Sequence, residues 1–373
     1  MLFNGKHYRT IWLKRPEGKI VQIIDQRSLP WKFIIEDIKT VPEMCTAIKD
    51  MHLRGAGLLG AAGAYGMYLA CLEAPKNKEF YRHVLEAAQL LRTTRPTAVN
   101  LSWAIEKQLD AINGAPYVMD KLNASLHNAL LIADQDVAMC KSIGAHGARI
   151  IEAIAKKKDG QPVNILTHCN AGWLAFVDIG TATAPIYEAM KKGIPVHVYV
   201  SETRPRNQGA SLTAWELENE GIPYTVIADN ASGHLLQTGR IDIVIVGCDR
   251  CTRHGDVANK IGTYLKALAA KENNVPFYAA VPSSSIDWNI TDGLKEIPIE
   301  ERHGDEVKFI IGNDASGEMR KVLLTPEKSK ALNYGFDVTP AKLITGLITE
   351  RGVCGAWERD LISQFPEHAS RKG

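Results

Sequence analysis

The stretch IDIVIVGCDRCTRHGDVANKIGTY, residues 241–264, decides the reading of the fold. Ile241, Ile243, Val244, Ile245 and Val246 form a β-branched, almost continuously apolar run, the pattern of a strand buried on both faces of a parallel sheet. Ligands in open α/β sheets bind beyond the carboxyl ends of the strands, so Cys248, Asp249 and Arg250 occupy the position where chemistry is expected. Asp256 then reads as an N-cap, with Asn259 and Lys260 in the first turn of a following helix and facing the same crevice. A carboxyl group, an amide and an ammonium are expected to converge there.

The second half of the chain keeps this rhythm. Strands are expected at 163–167, 196–200, 224–228, 241–246 and 277–281, with helices at 174–192, 211–220, 232–238 and 257–272. Such alternation implies right-handed crossovers and a doubly wound parallel sheet. A further strand is expected at 307–311 and a last helix at 340–348. Upstream of the break KKKDGQP (156–162) the pattern differs. Short strand-like runs at 10–13, 19–24 and 33–35, separated by Pro16, Gly18 and Pro30, precede helical periodicity at 41–51, 56–70, 80–91, 100–112 and 121–156. The fold class is therefore α/β, with a small N-terminal β plus helical domain over 1–155 and a Rossmann-like doubly wound parallel sheet domain over 156–373.

A chain of 373 residues has room for two such domains and a large core. Its 45% hydrophobic and 23% charged residues are an ordinary soluble globular balance, and a net charge of +2 is too small for a nucleic-acid surface. No apolar stretch reaches spanning length, and the opening MLFNGKHYRT lacks a signal-peptide core, so a cytoplasmic protein without a membrane partner is expected. Seven cysteines, at 45, 71, 140, 169, 248, 251 and 354, are odd in number and scattered, which suits free thiols in a reducing compartment.

THCNAGW (167–173) ends the first strand of the sheet with Cys169. A cysteine that opens a helix has its thiolate favoured by the helix dipole, although a lone cysteine more often serves as a small buried hydrophobe. Asp249 stands at the corresponding end of another strand, where a helix cap or a salt bridge to Arg250 competes with catalysis. SETRPRNQGA (201–210) offers Glu202, Arg204, Arg206 and Gln208, either to an anionic group or as a polar loop in which Glu202 pairs with Arg204. Arg54 in RGAG (54–57) and Arg95 in TRPTAVN (94–100) are flanked by glycine or proline, which suits close backbone approach to a ligand. The C-x-x-C formed by Cys248 and Cys251, with His254 nearby, lacks the second ligand pair of a zinc site. Neither G-x-G-x-x-G nor G-x-x-x-x-G-K-[ST] is present, so no metal and no organic cofactor is expected.

Taken together, RGAG (54–57), RPTAVNL (95–101), THCNAG (167–172), ETRPRNQGASLTAWEL (202–217), GCDR (247–250), GDVANKIGTY (255–264), IPIEER (297–302) and FDVTPAKLIT (336–345) resemble the methylthioribose-1-phosphate isomerases. These are relatives of the regulatory subunits of translation initiation factor 2B. The resemblance runs through most of the chain, in order. It implies a homodimer that takes a sugar 1-phosphate and converts 5-methylthioribose 1-phosphate to 5-methylthioribulose 1-phosphate, an aldose-ketose isomerisation of methionine salvage. It also makes Asp249 the proton donor and Cys169 its catalytic partner, with Arg54, Gly55, Ala56, Arg95, Gln208, Asn259 and Lys260 holding the sugar phosphate.

The sequence departs from the family pattern in several places. Gly57 and Leu58 stand where proline-alanine is usual, Cys248 where alanine is usual, and Cys251, Thr252, Arg253, His254 and Trp173 where smaller residues are common. A bulkier pocket wall suits a sugar without the methylthio group, so a 5-deoxyribose-1-phosphate isomerase is the alternative within the family. Cys251 and His254 are expected to line the pocket or a lid over it. Outside catalysis, the alternative is a regulatory translation-factor subunit that binds sugar phosphates or nucleotides only as ligands. The joint presence of Cys169 and Asp249 argues against it.

Overall fold

In the computed structural model of the protein, residues 1–14, 18–96 and 98–369 are described. Pro16, read as a strand separator, and Thr97 of RPTAVNL lie outside the described residues. After a short antiparallel hairpin of Leu2–Phe3 with Lys6–His7, the chain forms an antiparallel three-stranded sheet of β1 (Ile11–Leu13), β2 (Val21–Ile24) and β3 (Ile35–Ile38). The last strand begins two residues later than the apolar run at 33–35 indicates, because Phe33 is taken up by an aromatic cluster with Phe3 and Trp215.

Five helices follow: α1 (Val41–Lys49), α2 (Ala56–Glu73), α3 (Phe80–Thr94), α4 (Val99–Asn113) and α5 (Val118–Ala155). A capping box fixes the start of α1, where Glu43 N–H donates to the Thr40 hydroxyl and the Glu43 carboxylate accepts from Thr40 N–H. Helix α2 is apolar all round, and every residue from 57 to 71 is buried, so it forms the axis of the helical core. At about 1.5 Å per residue the 38 residues of α5 span roughly 57 Å. That length lets it serve two cores: Ala129, Ile132, Ala133 and Val137 pack with α2, while Ile143 and Ile151 pack on the large sheet.

The large sheet contains β4 (Val163–His168), β5 (Val196–Ser201), β6 (Tyr224–Ile227) and β7 (Ile243–Val246). A smaller sheet starts with β8 (Arg250–Thr252) and β9 (Val257–Lys260). The chain then supplies β10 (Phe277–Ala280) to the large sheet, β11 (Ile286–Asp287) to the small one, a separate hairpin of β12 (Phe309–Asn313) and β13 (Met319–Leu323), β14 (Phe336–Thr339) to the small sheet, and β15 (Gly346–Thr349) and β16 (Gly352–Cys354) to the large one. The large sheet runs β16-β15-β10-β7-β4-β5-β6, parallel except for β16 at one edge. Its six parallel strands therefore follow the chain order 3-2-1-4-5-6 of the doubly wound Rossmann-like fold.

Both faces are covered. Ile243 and Ile245 point to a core shared with α5 and with α6 (Ala184–Lys191). Val244 and Val246 point to a core shared with α8 (Ala231–Gln237) and α9 (Thr263–Glu272), the short α7 (Ala214–Asn219) lying between β5 and β6 in the chain. This two-sided burial explains the unbroken apolar run that marks β7.

Several sequence expectations are corrected. The helix expected at 174–192 is confined to α6, because residues 173–183 form a buried loop whose backbone N–H groups are taken by Glu216 and Asp136. Residues 257–260 are a strand, not the start of a helix, because they pair with Phe336–Thr339, a partner about 80 residues further along. Asp256 does not cap the helix that follows it: its carboxylate accepts from Gly293 N and Ala341 N, while Asp337 accepts from Gly262 N and Tyr264 N at the start of α9. The strand at 307–311 belongs to the isolated hairpin. Residues 340–348 are not a helix: a single turn at Ala341–Leu343 leads into β15, an inner strand of the large sheet. Among the described residues no helix is long and apolar enough to cross a membrane.

Candidate active site

In the 3-2-1-4-5-6 order the first and fourth strands, β4 and β7, are neighbours, and the chain leaves them toward opposite sides of the sheet. The crevice at this switch point opens between the residues that follow them, Cys169 and Asp249. The pocket there is lined by Arg54, Gly55, Ala56, Arg95, Cys169, Gln208, Asp249, Asn259 and Lys260, which are all nine of the residues singled out from the sequence. They come from six separate segments. Arg54–Ala56 lead into α2, Arg95 ends α3, Cys169 follows β4, Gln208 follows β5, Asp249 follows β7, and Asn259 and Lys260 lie on β9.

Cys169 does not open a helix. It sits in the left-handed region at φ +63°, a strained conformation for a non-glycine residue that is found disproportionately at functional sites. Three contacts hold it there. Its N–H donates to Thr203 Oγ1 at 2.8 Å, its carbonyl accepts from Thr213 Oγ1 at 2.6 Å, and its thiol lies 3.4 Å from Gln208 Oε1. Burial pushes the thiol up from its ordinary range, and the charges of Lys260 and Arg54 only partly offset this. The cysteine is therefore a thiol at neutral pH in the unliganded pocket.

Asp249 follows the same logic. Its N–H donates to Ala258 O at 3.0 Å, and among the described residues its carboxyl group makes no hydrogen bond, so both oxygens are left to the pocket. Burial raises its pKa against the pull of Lys260, Arg95 and Arg54. The salt bridge to Arg250 considered from the sequence does not form, since Arg250 donates to Asp287 at 2.7 and 3.1 Å on the other side of the strand. Likewise Arg204 donates to the carbonyls of Pro205 and Val307, not to Glu202.

Arg54 is buried and anchored at three donors. Nε donates to Gln26 Oε1 at 3.1 Å, Nη1 to Asn170 O at 2.8 Å, and Nη2 to Asn170 Oδ1. Gly55 beside it has φ +109°, and a Cβ there would lie 2.4 Å from the Cα of Ala175, so only glycine lets this turn close on the pocket wall. Lys260 lies over the ring of Phe336 at 4.6 Å, and Asn259 donates to Thr263 Oγ1 at 3.1 Å. The neighbouring His168 donates from Nε2 to Ile261 O at 2.8 Å, and burial pushes its pKa down to about 3, so it is neutral.

Of the bulky departures, only Cys248 reaches the pocket. Trp173 is fully buried and stacked on Trp215, Cys251 lies in the sheet core, and His254 sits at the surface 3.3 Å from Glu358. Cys251 and His254 thus form neither wall nor lid. Sequence reasoning missed the pocket walls Met51, Leu59, Phe176 and Phe336 and the buried anchor Glu216; Phe336 and Glu216 lay inside quoted motifs, but nothing in their spacing tied them to the strand ends. Among the described residues no group of His, Cys, Asp and Glu could hold a metal ion.

Residues 52–356 match the Initiation factor 2 subunit family. The chain belongs to that family. It is 54% identical to the methylthioribose-1-phosphate isomerase of Desulfatibacillum aliphaticivorans over 98% of this chain and 99% of that protein. Among solved structures it is similar to the 5-methylthioribose 1-phosphate isomerase of Pyrococcus horikoshii OT3, with 38% identity, 97% of each chain covered and a TM-score of 0.82. It is also similar to the delta subunit of translation initiation factor eIF-2B from A. fulgidus, with 37% identity, 96% of this chain and 100% of that chain covered, and a TM-score of 0.79.

Proposed function

We propose that the protein is an aldose-ketose isomerase that converts 5-methylthioribose 1-phosphate to 5-methylthioribulose 1-phosphate. The observation that carries this reading is the meeting of the Asp249 carboxyl, whose pKa burial raises, and the Cys169 thiol in one buried pocket with Arg54, Arg95 and Lys260. The names of the full-length relatives support it.

A phosphate on the anomeric oxygen prevents spontaneous opening of the sugar to an aldehyde, so the ring oxygen must be protonated. In our assignment Asp249 supplies that proton, general acid catalysis of a kind worth about 10²–10⁴-fold. The C1–ring oxygen bond then breaks and leaves C1 electron-deficient. Because Cys169 is held as a thiol, little thiolate is available to abstract a proton from C2, and we assign the transfer from C2 to C1 as a hydride shift that the Cys169 thiol assists as a hydrogen-bond donor beside the reacting carbons. Loss of the C2 hydroxyl proton to the Asp249 carboxylate completes the ketone and restores the acid. Arg54, Arg95 and Lys260 bind the phosphate, and Gln208 and Asn259 orient the sugar beside Cys169.

Steady-state comparison of 5-methylthioribose 1-phosphate with 5-deoxyribose 1-phosphate tests the substrate, with a larger kcat/KM expected for the first. The argument for the deoxy sugar weakens because Trp173, Cys251 and His254 do not reach the pocket. Turnover in D2O tests the transfer, with no deuterium expected at C1. No turnover of either sugar by folded protein would favour a binding subunit. The homodimer rests on family resemblance, and sedimentation equilibrium tests it.

A further inference from the structure

Arg95 is nine-tenths buried where α3 ends, and its guanidinium lines the pocket. Its Nη2 donates to Glu300 Oε2 at 2.9 Å, whereas its Nε is buried without a partner among the described residues. A buried guanidinium donor that finds no partner among the described residues, on a side chain that lines a polar pocket, points to an oxygen that arrives with a ligand.

Glu300 is itself held. Its Oε1 accepts from Arg302 Nη1 at 2.8 Å, and Arg302 turns its other edge onto Glu306 through Nε at 3.0 Å and Nη2 at 2.8 Å. Glu306 also accepts from Arg206 Nη1 at 2.9 Å and from Asn333 Nδ2 at 2.9 Å. An unbroken line of alternating charge thus runs Arg95, Glu300, Arg302, Glu306, Arg206. It starts on one pocket residue and ends two residues before another, Gln208. Three cations against two carboxylates leave one positive charge over, 3 − 2 = +1, a surplus suited to a phosphate. Burial works against the charges on both carboxylates, but the arginines outweigh it: Glu300 is held below its ordinary range and Glu306 is brought to about 2.

We propose that Glu300 is a positioning residue for substrate binding: it fixes the Arg95 guanidinium so that Nε faces the incoming phosphate, and through Arg302 and Glu306 it couples that grip to the loop carrying Gln208. The inference rests on the reading of the pocket as a sugar-phosphate site. An arginine frozen before the ligand arrives does not lose its rotamer freedom in the binding step, so the effect belongs in affinity more than in chemistry. Motif matching alone does not reveal this role, because Glu300 lies 205 residues from Arg95.

The test is steady-state kinetics with 5-methylthioribose 1-phosphate, together with competitive inhibition by inorganic phosphate. Glu300→Gln should raise KM and the phosphate Ki together by about tenfold, with kcat held within about twofold, the size expected when one charged hydrogen bond is lost. Glu300→Asp should recover part of this, and Arg302→Gln should give a smaller rise of the same kind. Arg95→Ala combined with Glu300→Gln should be no worse than Arg95→Ala alone, since Glu300 acts through Arg95. Unchanged KM and Ki in Glu300→Gln, with both raised in Arg95→Ala, would overturn the role of Glu300 and leave the phosphate site standing. Unchanged values in Arg95→Ala would overturn both. If Glu300→Gln fails to fold, Arg302→Gln decides: parental KM and Ki there overturn the coupling.

Discussion

A Cβ built on Gly172 would stand 1.9 Å from Oε2 of Glu216. The closeness arises because the Glu216 carboxylate is turned into the loop that follows Cys169. There it accepts from Trp173 N and Leu174 N at 2.9 Å, from Asn170 Nδ2 at 2.9 Å and from the Tyr187 hydroxyl at 3.0 Å. Asn170 in turn accepts from Arg54 through both its carbonyl and its side-chain oxygen. A pocket arginine is thus fixed by a carboxylate it does not touch.

Removal of this anchor should be costly. Glu216→Ala strands four buried donors, at about 1–3 kcal/mol for each left unsatisfied, so a loss of at least ~3 kcal/mol in chemical denaturation is expected. Gly172→Ala should cost a similar amount, because the methyl group and the carboxylate cannot both keep their places. A parental denaturation midpoint for Gly172→Ala would mean that the loop moves aside freely.

Cys169→Ala and Asp249→Asn should each lower kcat by about 10²–10⁴-fold while leaving circular dichroism and melting temperature near the parent. Both groups face the pocket, and Asp249 makes no side-chain hydrogen bond among the described residues, so stability has little to lose. A Cys169→Ala variant that turns over at the parental rate removes that residue from the mechanism.

The pH profile carries the sign of the Asp249 shift. Its pKa is raised by burial, and the acid acts only while protonated, so kcat/KM should fall as pH rises through that elevated value. Lys260 is the largest of the charges opposing the shift. Lys260→Met should therefore move the alkaline limb to higher pH, whatever it does to the maximal rate. A limb that stays in place or moves down would show that another group sets it.

Asp136 gives a pH effect on stability that catalysis does not share. It is fully buried, accepts from Val177 N at 2.7 Å, and burial pushes its pKa up to about 7. Below about pH 4 the folded and unfolded chains are both protonated at this site; between there and about pH 7 only the unfolded chain ionises, so stability falls as pH rises through that window. Asp136→Asn keeps an acceptor for Val177 and cannot ionise. The melting temperature of this variant should decline less than the parent's between pH 4 and 7.

The parts that were legible are those that local pattern governs. The run at 241–246 gave away its strand because burial on two faces leaves no polar alternation, and α2 was read as helical within the periodic pattern of the first half. The strand-end rule then directed attention to Cys169 and Asp249, and the family resemblance added Arg54 and Arg95, whose local surroundings carried little signal. Residues 257–260 and 346–349 were misread because each pairs with a strand far away in the chain, 336–339 for the first and 278–280 for the second. A stretch of four residues has no helical or extended preference strong enough to resist such a partner.

The sequence by itself determined the alternating architecture, the two strand ends that matter and the chemical types gathered there, since periodicity and residue identity are local properties. Only the tertiary structure decided the upward pKa shifts of Cys169 and Asp249, the left-handed backbone at Cys169, the hold of Glu216 on Arg54 through Asn170, and the line of charges from Arg95 to Arg206. Each of these depends on burial and on distances between segments up to 205 residues apart, quantities that exist only once the chain has closed on itself.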